Sequence, residues 1–243
     1  MDDYGVLLGV VAVFSVVHSL FGVGLLVFGT PTLLALGFPF EVAVANLLPP
    51  SFAISALQSF QGRRHVGRLG ARILAWCVPG IVLGMFLVVG GHWVVDVKGV
   101  VAAALLFSAA ARFSKRIEAW LGSLLERVTP LYLAGMGFVH GLSNMGGGFL
   151  TIYVGTLYRE KDAIRANIAF GYLIFVAAQL AVLGWLRPDV FDLGTLAASA
   201  LALGVYLSVG QFLYLRSSRA LYQHAITVLM ASYGIVLLAQ AVG

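Results

Sequence analysis

The stretch HGLSNMGGGF, residues 140–149, places His, Ser and Asn beside three consecutive glycines inside a long apolar run. Glycine has no Cβ and adopts backbone angles that other residues avoid, so the chain is loosest here. Irregular backbone at membrane depth is tolerated only where protein or a water-filled cavity surrounds it. The stretch therefore predicts a break in a membrane-embedded segment, placed where it lines a site.

The composition of the whole chain predicts a membrane protein. The chain is 60% hydrophobic and 10% charged, with a mean hydropathy of +0.98, whereas soluble domains carry about 25% charged residues. We predict an all-α polytopic membrane protein, whose Lys and Arg report topology rather than nucleic-acid binding. A lone Cys77 gives no disulfide framework. Asp2 and Asp3 replace a basic leader, so we expect the first hydrophobic segment to be retained.

Two of the apolar segments have an unusual length. Polar breaks divide the chain into segments 4–37, 40–61, 72–91, 93–111, 128–158, 163–186, 193–215 and 220–242. The first and fifth contain 34 and 31 residues. A single helix of that length would measure roughly 45–50 Å against a core of about 30 Å, and two full spans would need roughly 40 residues. These lengths predict hairpins of two short arms that enter the membrane and turn back.

Both long segments contain turn residues near their middles. The first has Gly22-Val23-Gly24 and then Gly29-Thr30-Pro31, and the second has Asn144-Met145-Gly146-Gly147-Gly148. For Gly22 and Gly24, a kink or a close helix contact explains the glycines as well as a break does. Three glycines after an Asn favour a break.

The distribution of positive charge tests the second hairpin. If both long segments cross the membrane once, Lys and Arg divide 9 to 6 between the two faces. If the second long segment returns to its starting face, the division becomes 13 to 2, with Lys98 and Arg187 alone on the poorer face. The positive-inside rule prefers this second arrangement and makes the richer face, including the loop at 112–127, cytoplasmic.

An internal repeat extends the argument to the first long segment. HSLFGVG at 18–24 aligns with HGLSNMG at 140–146 at a shift of 122, and Ala45-Asn46 aligns with Ala166-Asn167 at a shift of 121, which also pairs Gln58 with Gln179. We therefore predict two inverted repeats, 1–120 and 121–243, each a Gly-broken re-entrant hairpin plus three transmembrane helices. Both termini would lie outside, and the hairpin tips would meet near the midplane, a plan common in secondary transporters.

The polar residues predicted within the membrane are neutral. No Asp, Glu, Lys or Arg lies deep within a segment, which disfavours a proton relay built on acids. Two histidines and one remote Cys are a thin basis for a metal site. Backbone amides, helix N-termini, Ser, Asn and His suit a small anion, and glycines let the backbone approach it.

Each candidate residue also has a structural explanation. Asn46 and Asn167 either bind ligand or tie helices together, whereas Gln58 and Gln179 are expected to be structural. Ser143 and Asn144 favour function because they lie at the predicted break. His18 and His140 either carry a coupled proton and assist an anion or simply pack. Arg165 is either an anion gate or a residue that extends to the interface.

These motifs resemble the TauE/SafE family of sulfite exporters, also called TSUP. The resemblance rests on two copies of a Gly-rich motif, each followed by a helix opening in AVAN or IRAN, and on GRRHVGRLGAR followed by VPGIVLG. It implies movement of small sulfur-containing anions such as sulfite, sulfonate, sulfoacetate or thiosulfate, or of related organic acids. The family's Gly-rich motifs fall on 22–24 and 144–148, and its helix starts fall on Asn46 and 165–167. The first copy reads GVGLL where the second reads NMGGG, which predicts an asymmetric site.

We therefore expect an inner-membrane secondary transporter, an exporter that works by alternating access, and not an enzyme. A channel, an integral-membrane enzyme and an assembly protein are the rival readings. We expect no cofactor, metal or nucleic-acid partner, and a homodimer remains open. The predicted substrate-binding residues are His18, Ser19, Gly22, Gly24, Asn46, His140, Ser143, Asn144, Gly146, Gly147, Gly148 and Asn167, with Arg165 as a gate.

Overall fold

The structure is a computed structural model that describes residues 3–90, 96–216 and 219–242. This part of the chain contains helices and no β-strand. In chain order, the helices α1 to α10 are Asp3–Phe21, Leu25–Ala35, Phe40–Gln61, Leu69–Val89, Val97–Phe113, Lys115–Ser143, Gly146–Leu157, Lys161–Leu186, Leu193–Arg216 and Arg219–Val242. α2 begins with a π-helical turn at Leu25–Gly29. Within α4 and α9, π-helical turns lie at Ile73–Cys77 and Tyr206–Gly210 respectively.

Several helices have the length and composition of membrane spans. Among the described residues, α1, α3, α4, α8 and α9 are long and apolar enough to cross a bilayer. Shorter apolar helices lie at Leu25–Ala35, Val97–Ala111, Gly146–Leu157 and Thr227–Val236. The prediction of a polytopic helical membrane protein is confirmed.

The predicted loop at 112–127 was mostly wrong, because α6 already begins at Lys115. Ser114 caps this helix, its Oγ accepting a hydrogen bond from the Ile117 backbone N–H at 3.4 Å. Val128 has non-helical backbone angles just before Pro130, so a kink separates the charged start of α6 from its apolar remainder. The charged residues at 115–127 therefore extend the helix rather than forming a loop.

The first long segment is interrupted at residues 22–24, here called the first break. The arms on either side contact each other, since the Phe14 and Phe28 rings lie 6.1 Å apart. The second set of predicted turn residues, 29–31, does not break the helix, because α2 continues through it. Pro31 sits in the first turn of the α-helical part of α2, where a missing backbone N–H costs nothing.

The second long segment is interrupted at residues 144–145, here called the second break. Its arms also contact each other, because the Tyr132 hydroxyl donates to the Phe149 carbonyl at 2.8 Å. Gly146, Gly147 and Gly148 form the first turn of α7 rather than the break itself. Asn144 and Met145 alone redirect the chain.

Paired glycines hold α6 against α4. A Cβ added to Gly80 would lie 2.6 Å from the Ala134 carbonyl oxygen, and one on Gly84 would lie 2.5 Å from that of Phe138. Gly137 and Gly141 press on the α4 backbone in return. Small residues four apart allow such close crossing in membrane helices. This crossing fixes the arm that leads into the second break.

Candidate functional site

The two breaks share one backbone geometry. Gly22 has φ 75° and Asn144 has φ 65°, and Asn144 is the one non-glycine residue with positive φ among the described residues. The Gly22 N–H donates to the His18 carbonyl at 2.8 Å, and the Asn144 N–H donates to the His140 carbonyl at 2.8 Å. A left-handed residue that returns its N–H to the last turn is a common helix ending. Residues matched at a shift of 122 thus end α1 and α6 in the same way.

The glycine two positions later lets each break fold back onto its histidine. A Cβ on Gly24 would lie 2.5 Å from the His18 backbone nitrogen. A Cβ on Gly146 would overlap the Cβ of His140. Glycine is required at both positions because each short arm starts against the histidine of its long arm.

The two breaks also contact each other. The Asn144 amide Nδ2 donates to Thr30 Oγ1 on α2 at 3.0 Å, and both side chains are fully buried. A Cβ on Gly147 would lie 2.7 Å from Val27 and 2.9 Å from Tyr172. The start of α7 therefore rests directly against α2.

Two glutamines brace the breaks from matched positions. Gln58 Nε2 donates to the carbonyls of His18 at 3.2 Å and Ser19 at 3.1 Å. Gln179 Nε2 donates to the His140 carbonyl at 3.4 Å and to Asn144 Oδ1 at 2.7 Å. The sequence argument placed both glutamines outside the candidate site, although their similar spacing from the histidines, 40 and 39 residues, was a usable signal.

The two histidines lie on either side of one tyrosine that the sequence argument missed. Each histidine ring centroid lies 5.6 Å from that of Tyr172, and all three side chains are fully buried. His18 Nε2 is 3.0 Å from Ser55 Oγ, and the His140 ring packs on Phe175 at 4.7 Å. Because Tyr172 follows Phe170 and Gly171 in an apolar run, nothing local distinguished it from a packing residue.

Several polar atoms between the breaks have no hydrogen-bond partner among the described residues. They are His18 Nδ1, His140 Nδ1 and Nε2, Tyr172 Oη, Gln58 Oε1 and Gln179 Oε1. Buried polar groups in proteins are nearly always satisfied, so such a cluster requires an explanation. A polar ligand that enters between the breaks would meet donors and acceptors from both of them.

Three of the predicted residues donate side-chain hydrogen bonds to backbone carbonyls of their own helices. Ser19 Oγ donates to the Ser15 carbonyl at 2.6 Å, and Ser143 Oγ donates to the Val139 carbonyl at 2.7 Å. The half-buried Asn46 donates to the Val42 carbonyl at 2.9 Å. Gly148 lies at the start of α7 against Ser108 of α5.

Asn167 fastens a loop instead of joining the cluster between the breaks. Its Nδ2 donates to the His65 carbonyl at 2.8 Å, and its Oδ1 accepts from the Gly67 N–H at 2.8 Å. A third hydrogen bond runs to the Ala163 carbonyl in its own helix. The amide thereby ties the basic loop before α4 to the start of α8.

Arg165 is buried near the start of α8, with only 8% of the residue exposed. Its Nη2 donates to Gln211 Oε1 at 3.2 Å, and its Cζ lies 3.7 Å from the Tyr214 ring centroid. Its carbonyl oxygen would lie 3.1 Å from a Cβ on Gly22. The structure therefore places this residue beside the first break, and not at the surface.

Comparison with known proteins identifies the family. The model of a family described as Sulfite exporter TauE/SafE matches residues 6–237. No curated protein and no solved structure matches the chain. Across residues 3–90, 96–216 and 219–242, no three His, Cys, Asp or Glu side chains are grouped to hold a metal ion.

Proposed function

Because this chain belongs to the TauE/SafE sulfite exporter family, whose members are membrane transporters of sulfite-type anions, we propose that it is a secondary transporter. It exports a small sulfur-containing or organic anion, such as sulfite, a sulfonate or sulfoacetate. Its substrate binds at the two breaks, and access alternates between the two faces. The protein lies in the inner membrane and is not an enzyme.

The proposed architecture is a pair of inverted repeats, 1–120 and 121–243, with both termini outside and each break at the tip of a re-entrant hairpin. The matched backbone at Gly22 and Asn144 supports it, as do the matched hydrogen bonds from Gln58 and Gln179 to the histidine carbonyls. Inverted repeats place broken helices opposite each other around a central site. The membrane orientation rests on the 13-to-2 division of Lys and Arg.

The observation that carries the proposed site is the cluster of unpartnered polar atoms where the breaks meet. Asn144 is central, because it links Thr30 in one half to Gln179 in the other. Among the unpartnered atoms, the Tyr172 hydroxyl and the imidazole nitrogens can donate hydrogen bonds to an oxyanion, whereas Gln58 Oε1 and Gln179 Oε1 can only accept. His18, Gly22, Gly24, His140, Asn144, Gly146 and Gly147 form the proposed binding region.

The contact between the breaks supports the proposal of alternating access. If one half rocks against the other, the Asn144–Thr30 hydrogen bond joins surfaces that move relative to each other. That bond must then break and re-form in each cycle, which couples ligand contact to the conformational change. A coupled proton is the proposed driving ion, with His18 and His140 as carriers, because their side chains face the same tyrosine from the two halves.

The direct test is counterflow of sulfite in proteoliposomes that contain the purified protein. Vesicles loaded with unlabelled sulfite should transiently accumulate radiolabelled sulfite above its external concentration, because a carrier exchanges one substrate for another. A channel would only equilibrate the label. Absence of any sulfite, thiosulfate or sulfoacetate movement would contradict the proposed substrate class.

Two variants locate the site. Asn144→Leu removes the hydrogen bonds to Thr30 and Gln179, and we expect sulfite binding to weaken at least about tenfold, the effect of losing roughly 1.4 kcal/mol. Asn46→Leu is the matched control, since this amide donates to the Val42 carbonyl of its own helix, and the affinity of this variant for sulfite should be unchanged. Full-affinity binding by Asn144→Leu would place the site elsewhere.

The proton proposal has its own test. A double variant, His18→Gln with His140→Gln, keeps polar side chains while removing both imidazoles, the proposed proton carriers. Net sulfite flux should lose its dependence on an imposed pH gradient, while counterflow persists. An undiminished dependence in the double variant would remove both histidines from the coupling mechanism.

A further inference from the structure

The side chain of Arg165 lies buried without a counterion. Arginine stays protonated in proteins, and a buried charge is costly unless it is paired and hydrogen-bonded. Among the described residues, no carboxylate lies within ion-pair distance of this guanidinium, and the ion pairs found there belong to Arg187. A positive charge at the edge of the first break therefore lacks the partner that burial demands.

The groups that contact the Arg165 guanidinium directly are neutral, while the Lys161 ammonium lies near the same Tyr214 ring, with Nζ 4.0 Å from its centroid. Arg165 Nη2 donates to Gln211 Oε1 at 3.2 Å and contacts Tyr206 Oη at 3.5 Å, while the Tyr214 ring stacks on the guanidinium. The nearby Asp162 carboxylate accepts a hydrogen bond from the Tyr214 hydroxyl. The Asp162 carboxylate is thus engaged by the tyrosine that covers the arginine.

Arg165 also keeps an unused donor. Its Nε is buried and has no hydrogen-bond partner among the described residues. A guanidinium presents its N–H groups in a planar fork that matches the oxygens of a carboxylate, phosphate or similar oxyanion. Nη2 already donates to both Gln211 and Tyr206, so the unused Nε is the donor left for such a ligand.

The cluster is continuous with the first break. The carbonyl of Arg165 lies against Gly22, and Gly210, the residue before Gln211, is packed against Ser19. Arg165 lies near the start of α8. In the proposed topology, α8 begins at the membrane face that carries 13 of the 15 Lys and Arg, here called the basic face. A ligand that entered from this face would meet Arg165 before it reached the site between the breaks.

The other half of the chain has no equivalent. At the shift of 121 that aligns AVAN with IRAN, the position of Arg165 corresponds to Val44, which is fully buried. The repeats therefore share their breaks and their bracing glutamines, but only one of them carries a cation beside a break. This difference makes the two approaches to the site chemically unequal.

We propose that Arg165 and Gln211 form a capture subsite for the substrate anion on the basic face, separate from the site between the breaks. The oxyanion of the substrate supplies the missing counterion and accepts a hydrogen bond from the unused Nε. The subsite lowers the concentration of substrate needed on this face and gives the transporter its preferred loading side. This inference rests on the proposed function of anion transport.

The test compares sulfite uptake into inside-out and right-side-out membrane vesicles from cells that express the full chain. In Arg165→Gln, the KM for sulfite presented at the basic face should rise by about tenfold or more, since a hydrogen bond to a charged group is worth roughly 1.5–3 kcal/mol. The KM at the opposite face should stay unchanged. Arg187→Gln is the control arginine, because that side chain already has carboxylate partners.

A second variant tests the subsite without removing the arginine. Gln211→Glu places a carboxylate within reach of the guanidinium and supplies the counterion from the protein itself. It should raise the KM at the basic face as Arg165→Gln does, while the thermal stability of the purified protein stays equal or increases. This variant carries the test if Arg165→Gln does not fold.

The outcomes separate the two proposals. If the wild-type protein moves no sulfur anion, the proposed function fails. If the wild-type protein transports sulfite but Gln211→Glu leaves the KM at the basic face unchanged, the capture subsite is wrong and the proposed function stands. Equal KM increases at both faces in Gln211→Glu would likewise overturn the subsite, because they would assign the cluster to the shared site.

Discussion

The two breaks have the same backbone and different chemistry. Gly22 and Asn144 adopt the same left-handed conformation and return the same hydrogen bond to a histidine carbonyl. Gly22 adds nothing more, whereas the Asn144 side chain links Thr30 and Gln179 across the two halves. Two breaks can therefore share their backbone geometry while the side chain of only one of them makes the polar contacts. We expect the first break to be mainly structural and the second to be mainly functional.

The largest expected effects come from adding a methyl group at Gly24 and at Gly146, where each break folds back onto its histidine. In Gly24→Ala the new Cβ meets the backbone of His18 and Val17, which cannot move without shifting α1. We expect the free energy of unfolding to fall by about 3 kcal/mol, the upper end of overpacking costs. In Gly146→Ala the new Cβ meets the His140 side chain and displaces its ring.

The two alanine variants should therefore differ in kind. Thermal unfolding of the purified protein should show the larger loss of stability for Gly24→Ala. Sulfite titration should show that Gly146→Ala loses more affinity relative to the stability that it loses. The control is Gly155→Ala, where an added Cβ meets no neighbour within 4 Å. If the two breaks respond identically in both measurements, their proposed division of labour is wrong.

A smaller effect separates the backbone of the second break from its side chain. Asn144→Gly keeps a residue that adopts positive φ but loses both side-chain hydrogen bonds. Asn144→Ala loses the same bonds and adds the cost of a left-handed residue with a Cβ, about 1–2 kcal/mol. Unfolding in detergent should therefore rank Asn144→Ala below Asn144→Gly by that difference, while both lose sulfite affinity equally. Unequal affinities would mean that binding depends on the backbone of the break and not on its amide.

The sequence predicted the broken segments better than it predicted the site. The length of the apolar runs and the turn residues at 22–24 and 144–148 located both interruptions, because those constraints are local. Tyr172 was missed, since its place between His18 and His140 results from α8 crossing both breaks. Asn167 illustrates the same limit: the dipeptide Ala-Asn occurs in both halves of the sequence, but Asn167 hydrogen-bonds to the loop before α4, a contact that no local pattern encodes.

The smallest differences in stability are expected at the first turns of α3 and α8, the helices that contain Glu41 and Asp162. Glu41 and Asp162 are matched at the shift of 121, yet Glu41 pairs with Arg187 at 2.7 Å while Asp162 accepts from the Tyr214 hydroxyl. The Glu41 and Arg187 side chains are each 39% exposed, and exposed ion pairs contribute little to stability. Glu41→Gln should therefore lower the unfolding temperature less than Gly24→Ala or Asn144→Ala does, and less than Asp162→Asn, which uncouples Tyr214 from the cluster around Arg165.

Acid should weaken the same exposed cluster through a second carboxylate. Arg187 donates to both oxygens of Asp189, and these hydrogen bonds hold the pKa of that carboxyl below its usual range. A lowered pKa means that the stabilisation is present above the pKa of an unfolded Asp, about 3.9, and is lost as the pH falls through the lower folded value. Asp189→Asn should abolish that small component of the acid-dependent loss of stability and leave neutral-pH transport unchanged. If Asp189→Asn changed transport at neutral pH, the loop that contains Asp189 would take part in transport. The exposed cluster around Arg187 would then no longer be only structural.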